Sequence, residues 1–197
     1  MNKTNLFLLI IVVISMSLVL ALLYDMFSDK RWEKSNPLTW DDFLGIPNPL
    51  SPYGAFIKTH LDYEISYDSK NIQGSCHYWI TEVESISYMS KIESSVKEQS
   101  KDYATLMHEQ GHFDLTETFA KKFTDRAERE FLHKKFLCPK NDAWQITNEV
   151  NKKAEIILNQ ISGGLQLAHE DYDTETNHGL YYEGQKKWNL TIKNLLN

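Results

Sequence analysis

The sequence lacks the features that mark several large classes of protein. Five prolines and eight glycines in 197 residues are too few for a collagen-like or low-complexity chain. It contains no glycine-rich phosphate loop and no Gly-x-Ser-x-Gly element, so nucleotide binding and serine-hydrolase chemistry have no support. Lys and Arg number 21 against 27 Asp and Glu, a formal charge of −6. Because an acidic chain is a poor match for a phosphate backbone, we expect no nucleic-acid partner.

The composition is typical of a folded protein with one domain. Hydrophobic residues make up 42% of the chain and aromatic residues 12%, which argues against intrinsic disorder. The two cysteines, Cys76 and Cys138, lie too far apart in the sequence to form a recognisable zinc motif. They allow either one disulfide in an oxidising compartment or two free thiols, and both possibilities stay open.

An apolar run near the N-terminus predicts a membrane anchor. Residues 6–24 contain no charged side chain, and at about 1.5 Å per residue they nearly span a hydrocarbon core of about 30 Å. We therefore predict a transmembrane helix within residues 1–24, with a cleaved signal peptide as the alternative. Lys3 precedes the run, whereas Asp25 and Asp29 follow it, which favours a cytoplasmic N-terminus and a domain in the periplasm or outside the cell.

The rest of the chain predicts a linker followed by an α+β domain. Residues 25–37 predict a juxtamembrane linker, and we place the domain at residues 38–197. Hydrophobic and polar residues alternate over residues 55–65, which predicts a half-buried strand. A β-branched and aromatic stretch at residues 75–83 predicts its antiparallel partner, with a turn at residues 71–74 between them.

The second half of the domain predicts helices. Apolar residues recur there at intervals of three and four, which is the period of an amphipathic helix. Glycines at 163 and 164 predict the end of the middle helix, and residues 165–180 predict a loop. The three helices are predicted at residues 102–135, 142–160 and 183–196.

The first of these helices contains a His-Glu-x-x-His motif at residues 108–112. His108 and His112 lie about 40° apart around a helix, so both rings can reach one ion. Neutral imidazole nitrogens suit zinc, which in catalytic sites takes three protein ligands and a water molecule. Glu109 points about 100° away, which places its carboxylate beside that water as a general base. Gly111 costs about 1 kcal/mol relative to alanine in a helix, which indicates a close approach to the backbone there.

The third zinc ligand is expected from the segment at residues 172–179. His178 is the first choice, because a neutral third ligand leaves the ion more electrophilic. Asp173 is the second choice, and it is alternatively a partner that holds one imidazole by its other nitrogen. His169 and Glu170 are the remaining candidates. Nearby tyrosines either stabilise an oxyanion or pack as partly buried aromatic residues: Tyr172, Tyr181 and Tyr182.

These motifs resemble those of a known bacterial family. Residues 108–114 (HEQGHFD) and 172–179 (YDTETNHG) are similar to segments of a domain family of unknown function, whose members are predicted secreted or membrane-attached zinc-dependent proteases. Residues 38–47 resemble the start of that family, and Gln185 with Trp188 resembles its end. The resemblance implies a zincin-like fold, with a small antiparallel sheet packed on the His-Glu-x-x-His helix, and a presumed hydrolase.

We therefore expect a membrane-anchored zinc peptidase that hydrolyses peptide or protein substrates with a metal-activated water. The expected Zn²⁺ ligands are His108, His112 and His178, and Glu109 is the expected catalytic residue. The alternative is a non-catalytic, zincin-like subunit of a cell-envelope complex. The acidic charge, the single anchor and the small size suit this second role equally well.

Overall fold

The computed structural model describes residues 27–197, which form a mixed α+β fold with a small antiparallel sheet and three α-helices. The predicted α+β class is thus confirmed. The strands are β1 (Lys30–Arg31), β2 (Ala55–Phe56), β3 (Thr59–Ile72), β4 (Ser75–Met89), β5 (Ser95–Val96) and β6 (Lys135–Leu137). The α-helices are α1 (Tyr103–Phe131), α2 (Ile146–Thr176) and α3 (Tyr182–Leu196).

The hairpin of β3 and β4 forms the main sheet. The two strands pair antiparallel from Thr59 opposite Met89 to Ile72 opposite Ser75, with one irregularity after Ser66. β4 is the central strand, because β1 and β6 also pair with it. Exposed polar and partly buried apolar side chains alternate along β3, as the sequence predicts. Both predicted strands are present and continue further than predicted. The first is interrupted, because Ala55–Phe56 form β2, which pairs with β5, and β3 begins only at Thr59.

The helix α1 carries the His-Glu-x-x-His motif across the sheet. Its N-cap is Asp102, whose side chain accepts the backbone N–H of Thr105 at 2.9 Å. The Tyr63 ring of β3 stacks on the Phe123 ring of α1, with 5.1 Å between the centroids. α1 also contacts α2 and α3. The predicted long helix is confirmed, and it ends at Phe131 rather than at residue 135.

The helix α2 continues through Gly163 and Gly164, so the predicted helix end at this pair is wrong. Two helical glycines cost about 1 kcal/mol each relative to alanine. Buried apolar residues on both sides of the pair offset that cost, because each large side chain contributes about 1.5–3 kcal/mol on burial. Ile157 lies before the pair and Tyr172 after it, and both pack into cores that include α1 residues.

The loop predicted at residues 165–180 is therefore helical up to Thr176. Asn177 ends the helix in the left-handed conformation with a φ of 48°, and Gly179 follows with a φ of 82°. A Cβ atom on Gly179 would lie 2.9 Å from Cβ of His108. The turn after α2 thus passes directly over the first histidine of the motif.

One apolar cluster packs Phe113 of α1 against Met89 of β4, and two further clusters join the helices to one another. One lies between the main sheet, α1 and the first half of α2, and it contains the disulfide between Cys76 and Cys138, whose Cα atoms are 5.3 Å apart. The structure thus resolves the open question about the two cysteines in favour of a disulfide. The other joins all three α-helices through Leu115, Leu165, Tyr172 and Ile192. This second cluster supports the part of α1 that carries the motif.

The first strand of the described residues, β1, pairs with the central strand of the main sheet. β1 lies inside the stretch 25–37 that the sequence predicts as a linker, and Lys30 forms a buried ion pair with Asp42 at 2.8 Å. The predicted anchor, residues 6–24, lies outside the described residues. Within residues 27–197, no helix combines the length and apolar character needed to cross a membrane.

Candidate metal centre

Three metal-ligating side chains converge where α1 and α2 meet. His108 and His112 lie one turn apart on α1, and Asp173 lies opposite them on α2. Oδ1 of Asp173 is 3.1 Å from Nε2 of His108 and 3.0 Å from Nε2 of His112. The ligand atoms of the three residues all lie within 4.8 Å of one another. The group is compact enough to hold one metal ion.

The donor set and its spacing suit zinc. Zinc bonds to imidazole nitrogen and carboxylate oxygen are about 2.0–2.2 Å long, which at tetrahedral angles separates the ligand atoms by about 3.3–3.5 Å. The observed separations from Asp173 are 3.1 and 3.0 Å, which is close to this range. Three protein ligands also leave a fourth position for water, as catalytic zinc sites require.

His178, which the sequence favours as the third ligand, lies beside this group rather than within it. Its Nδ1 is 3.4 Å from Oδ1 of Asp173, and its side chain is 40% exposed. Its ring packs against Tyr53 with 4.4 Å between the centroids. The continuation of α2 accounts for this placement, because it turns Asp173 towards α1 and leaves His178 in the turn beyond the helix end. The geometry favours Asp173, the second choice, as the third ligand.

Glu109 lies next to the three ligands and is buried. Only 5% of the residue is exposed, and the backbone N–H of Ile57 donates to its carboxylate. Burial raises the pKa of Glu109 to about 7, against the opposing effect of the nearby His108 ring. A carboxyl group with this pKa can both accept and release a proton near neutral pH. The role of Glu109 as a general base stays a prediction.

The protonation states of the ligands favour metal binding. Burial lowers the pKa of His112, although its hydrogen bond with Asp173 opposes the shift. Partial burial raises the pKa of Asp173, but the two imidazoles beside it outweigh burial and hold that pKa below its usual range. A neutral imidazole and an ionised carboxylate are the forms that bind metals. The pKa shifts of His112 and Asp173 are therefore both in the direction that favours metal binding.

His169, a remaining candidate for the third ligand, contacts a ligand instead of joining the group. Its Nδ1 lies 2.8 Å from Nδ1 of His112, the ring nitrogen that faces away from Asp173. Burial lowers the pKa of His169 to about 4, so the ring is neutral at pH 7. The spacing of four residues between His169 and Asp173 is the signal for this arrangement, but it is informative only if this segment is helical. Glu170, the other candidate, is exposed and hydrogen-bonds with Gln166.

Tyr172 packs directly against the motif. Its ring stacks on His108 at 4.7 Å between the centroids, and its hydroxyl donates to the backbone carbonyl of His108 at 3.1 Å. A Cβ atom on Gly111 would overlap that hydroxyl, which explains why the helix has a glycine there. The close approach predicted from Gly111 is thus confirmed. Tyr172 has the second of the two roles considered for the tyrosines, packing as a buried aromatic residue, whereas Tyr181 and Tyr182 are exposed.

The remaining polar residues of the motif face away from the metal ligands. Gln110 accepts the backbone N–H of Leu38 at 2.7 Å and donates to Asp114 at 2.8 Å. Asp114 also accepts the indole N–H of Trp32 at 2.8 Å. The HEQGHFD segment therefore binds the start of the domain on one side and presents the metal ligands on the other.

Comparisons of this chain with protein-family models, curated proteins and solved structures find no match. The resemblance to the bacterial family therefore stays a prediction from the motifs.

Proposed function

We propose that the protein is a zinc-dependent peptidase with a zincin-like site. In this proposal His108, His112 and Asp173 hold Zn²⁺, and Glu109 is the catalytic base. The observation that carries the proposal is the convergence of these three ligands beside one buried carboxyl group. The resemblance of the motifs to those of predicted zinc-dependent proteases supports the same function.

The chain supplies proton transfer and orientation to this chemistry. Zinc bound at this position supplies a Lewis acid that makes a water molecule more acidic and polarises a carbonyl group. The Glu109 carboxylate accepts the proton of the attacking water and then delivers it to the leaving peptide nitrogen. The raised pKa of Glu109 suits both transfers, because neither protonation state is strongly favoured at neutral pH.

We further propose that residues 6–24 hold the domain at a membrane, with the domain in the periplasm or outside the cell. The uninterrupted apolar run supports the anchor. The disulfide between Cys76 and Cys138 supports an oxidising compartment. Peptides or proteins of that compartment are the proposed substrates.

Metal content tests the site directly. We expect the purified full-length protein, in detergent, to hold about one zinc per chain and His108→Ala to hold far less, because the variant removes one of three ligands. His60→Ala is the matched control, since His60 is a half-exposed histidine of β3 whose ring contacts Asp29 and Tyr88 rather than the metal ligands. Equal zinc in the wild type and in His108→Ala would refute the metal assignment.

Cleavage of a peptide library tests the catalytic role. Glu109→Gln is expected to keep its zinc and to lose at least about 100-fold in kcat, because general acid–base groups contribute about 10²–10⁴-fold. Undiminished cleavage by this variant would exclude Glu109 as the base. Zinc binding without any cleavage by the wild type would instead favour the non-catalytic alternative.

A further inference from the structure

Each metal-binding histidine has a polar partner on the side away from the metal position. Nδ1 of His108 lies 3.2 Å from Oε1 of Gln185 in α3, and Nδ1 of His112 lies 2.8 Å from Nδ1 of His169 in α2. In both rings the other nitrogen, Nε2, faces Asp173. An imidazole that binds metal through Nε2 must carry its proton on Nδ1. Partners that accept this proton therefore select the binding tautomer.

The orientation of the Gln185 amide follows from its neighbours. The hydroxyl of Tyr172 uses its one proton for the backbone carbonyl of His108 and must accept from Gln185, whose Nε2 lies 2.6 Å away. The same Nε2 donates to Oδ1 of Asn189 at 2.8 Å. Oε1 is therefore the atom that faces His108, and it can only accept. The Nδ1 of His108 must then be the donor.

The tautomer of His169 is fixed in a similar way. If His112 carries its proton on Nδ1, then Nδ1 of His169 must accept it and the proton of His169 lies on Nε2. That nitrogen faces Oγ1 of Thr116 at 3.5 Å. Thr116 in turn donates to Oγ1 of Thr59 at 2.7 Å. The polar contacts of His169 thus match the neutral tautomer that His112 needs.

We propose that Gln185 and His169 are positioning residues, which hold the proton of His108 and His112 on Nδ1 and aim both Nε2 lone pairs at the metal. The inference rests on the proposed function, because it presupposes that the metal binds between these rings. Neither residue touches the metal position itself. Losing such an outer partner typically costs about 10–100-fold in metal affinity.

Paired variants separate hydrogen-bond acceptance from mere packing. Gln185→Met keeps the length of the side chain but removes the acceptor, whereas Gln185→Glu keeps an acceptor. His169→Leu removes the acceptor, whereas the side-chain oxygen of His169→Asn can take the place of Nδ1. The controls are Gln166→Met, at an exposed glutamine of α2, and His60→Leu, at a half-exposed histidine of β3. Zinc affinity of the full-length protein is measured by competition with a chromophoric chelator.

We expect Gln185→Met and His169→Leu each to weaken zinc binding by about 10–100-fold. Gln185→Glu, His169→Asn and both controls should stay within about threefold of the wild type, because each keeps the acceptor or lies away from the site. If Gln185 and His169 acted only through packing, both variants at each position would weaken zinc binding to the same extent. If all variants bind zinc as the wild type does, the positioning roles are refuted while the metal site stands. If the wild type binds no zinc, both proposals fail.

The tautomers can also be observed without any substitution. In the zinc-loaded wild type, side-chain ¹⁵N NMR should place the proton of His108 and His112 on Nδ1 and that of His169 on Nε2. This measurement does not depend on the folding of a variant. Protons on Nε2 of the two ligand histidines would overturn the inference.

Discussion

Asp173 sets the charge of the proposed metal site. Two neutral imidazoles and one carboxylate leave a Zn²⁺ centre with one positive charge, whereas a third histidine would leave two. With zinc bound, the carboxylate would reduce the Lewis acidity of the site, so more of the proton transfer would fall to a separate base. In the proposed mechanism that base is Glu109, which is buried beside the ligands.

The identity of the third ligand gives the first prediction. Asp173→Ala should weaken zinc binding by at least about 100-fold, more than the loss of an outer partner, because one of three ligands is lost. His178→Ala should change it by less than about threefold, since His178 lies outside the ligand group. Asp171→Ala, at an exposed carboxylate of the same helix, is the matched control. Strong zinc loss in His178→Ala together with retention in Asp173→Ala would restore His178 as the ligand.

The pKa of His169 gives a pH-dependent prediction for the metal-free protein. The pKa of His169 is about 4 in the folded protein because the ring is buried, against an ordinary value of 6.5. Between these values the unfolded chain binds a proton that the folded protein does not bind. The contribution of His169 to stability is therefore full above pH 6.5 and falls as the pH drops towards 4, by up to about 3 kcal/mol.

Comparison with His169→Asn isolates this contribution, because asparagine does not titrate. Urea unfolding with a chelator present should show the wild type losing stability relative to the variant as the pH falls from 6.5 to 4. The comparison is needed because Glu109 acts in the opposite sense: its raised pKa adds stability as the pH falls from 7. A stability difference that is constant across this range would contradict the assignment.

At the scale of elements, the sequence predicts α1 and its motif but not the whole of α2. His108, Glu109 and His112 share one helical segment, so the helical period alone fixes their relative directions. The place of Asp173 depends on whether α2 continues past Gly163 and Gly164. Burial of apolar side chains on both sides of the pair makes the helix continue, although the low helix propensity of glycine opposes continuation. The third ligand was therefore the part of the site that the sequence could not determine.

The packing of α1 on α2 gives a prediction for two glycines. Gly111→Ala should destabilise the fold by about 1–3 kcal/mol, because the new methyl group overlaps the Tyr172 hydroxyl and must push α2 away. Gly163→Ala is the control, since its methyl group meets open space. There alanine should stabilise the helix by about 0.5–1 kcal/mol. Urea unfolding measures both changes.

The same pair of variants tests the link between packing and the metal site. Displacement of α2 moves Asp173 and His169 away from α1, so Gly111→Ala should also weaken zinc binding. Gly163→Ala should leave zinc binding unchanged. If Gly111→Ala binds zinc and unfolds as the wild type does, Gly111 and Tyr172 cannot be in close contact.

At the scale of the whole molecule, the disulfide and the metal site lie against different apolar clusters. The cluster with the disulfide lies between the sheet and the later part of α1, whereas the cluster of Leu115, Tyr172 and Ile192 supports the metal site. The strand alternation and the helical period predict both layers. The disulfide and the contacts between helices both join residues that are distant in the sequence. A single sequence does not specify which of these residues pair.

This separation predicts that the disulfide stabilises the fold without tuning the site. Cys76 and Cys138 are 62 residues apart, and a cross-link closing a loop of that size contributes about 4 kcal/mol by restricting the unfolded chain. Replacing both cysteines with serine should lower the free energy of unfolding by about that amount. The zinc affinity of the folded variant should stay within about threefold of the wild type, since neither cysteine contacts a ligand or its hydrogen-bonding partners.

Treatment of the wild type with a reductant is the matching experiment, because it opens the bond without changing the sequence. Urea unfolding of the reduced wild type and of the double serine variant should agree, with zinc removed by a chelator in both. Zinc affinity is then measured separately in the folded state. A fall in zinc affinity as large as the fall in stability would mean that the two clusters act as one unit and that the disulfide positions the metal ligands as well.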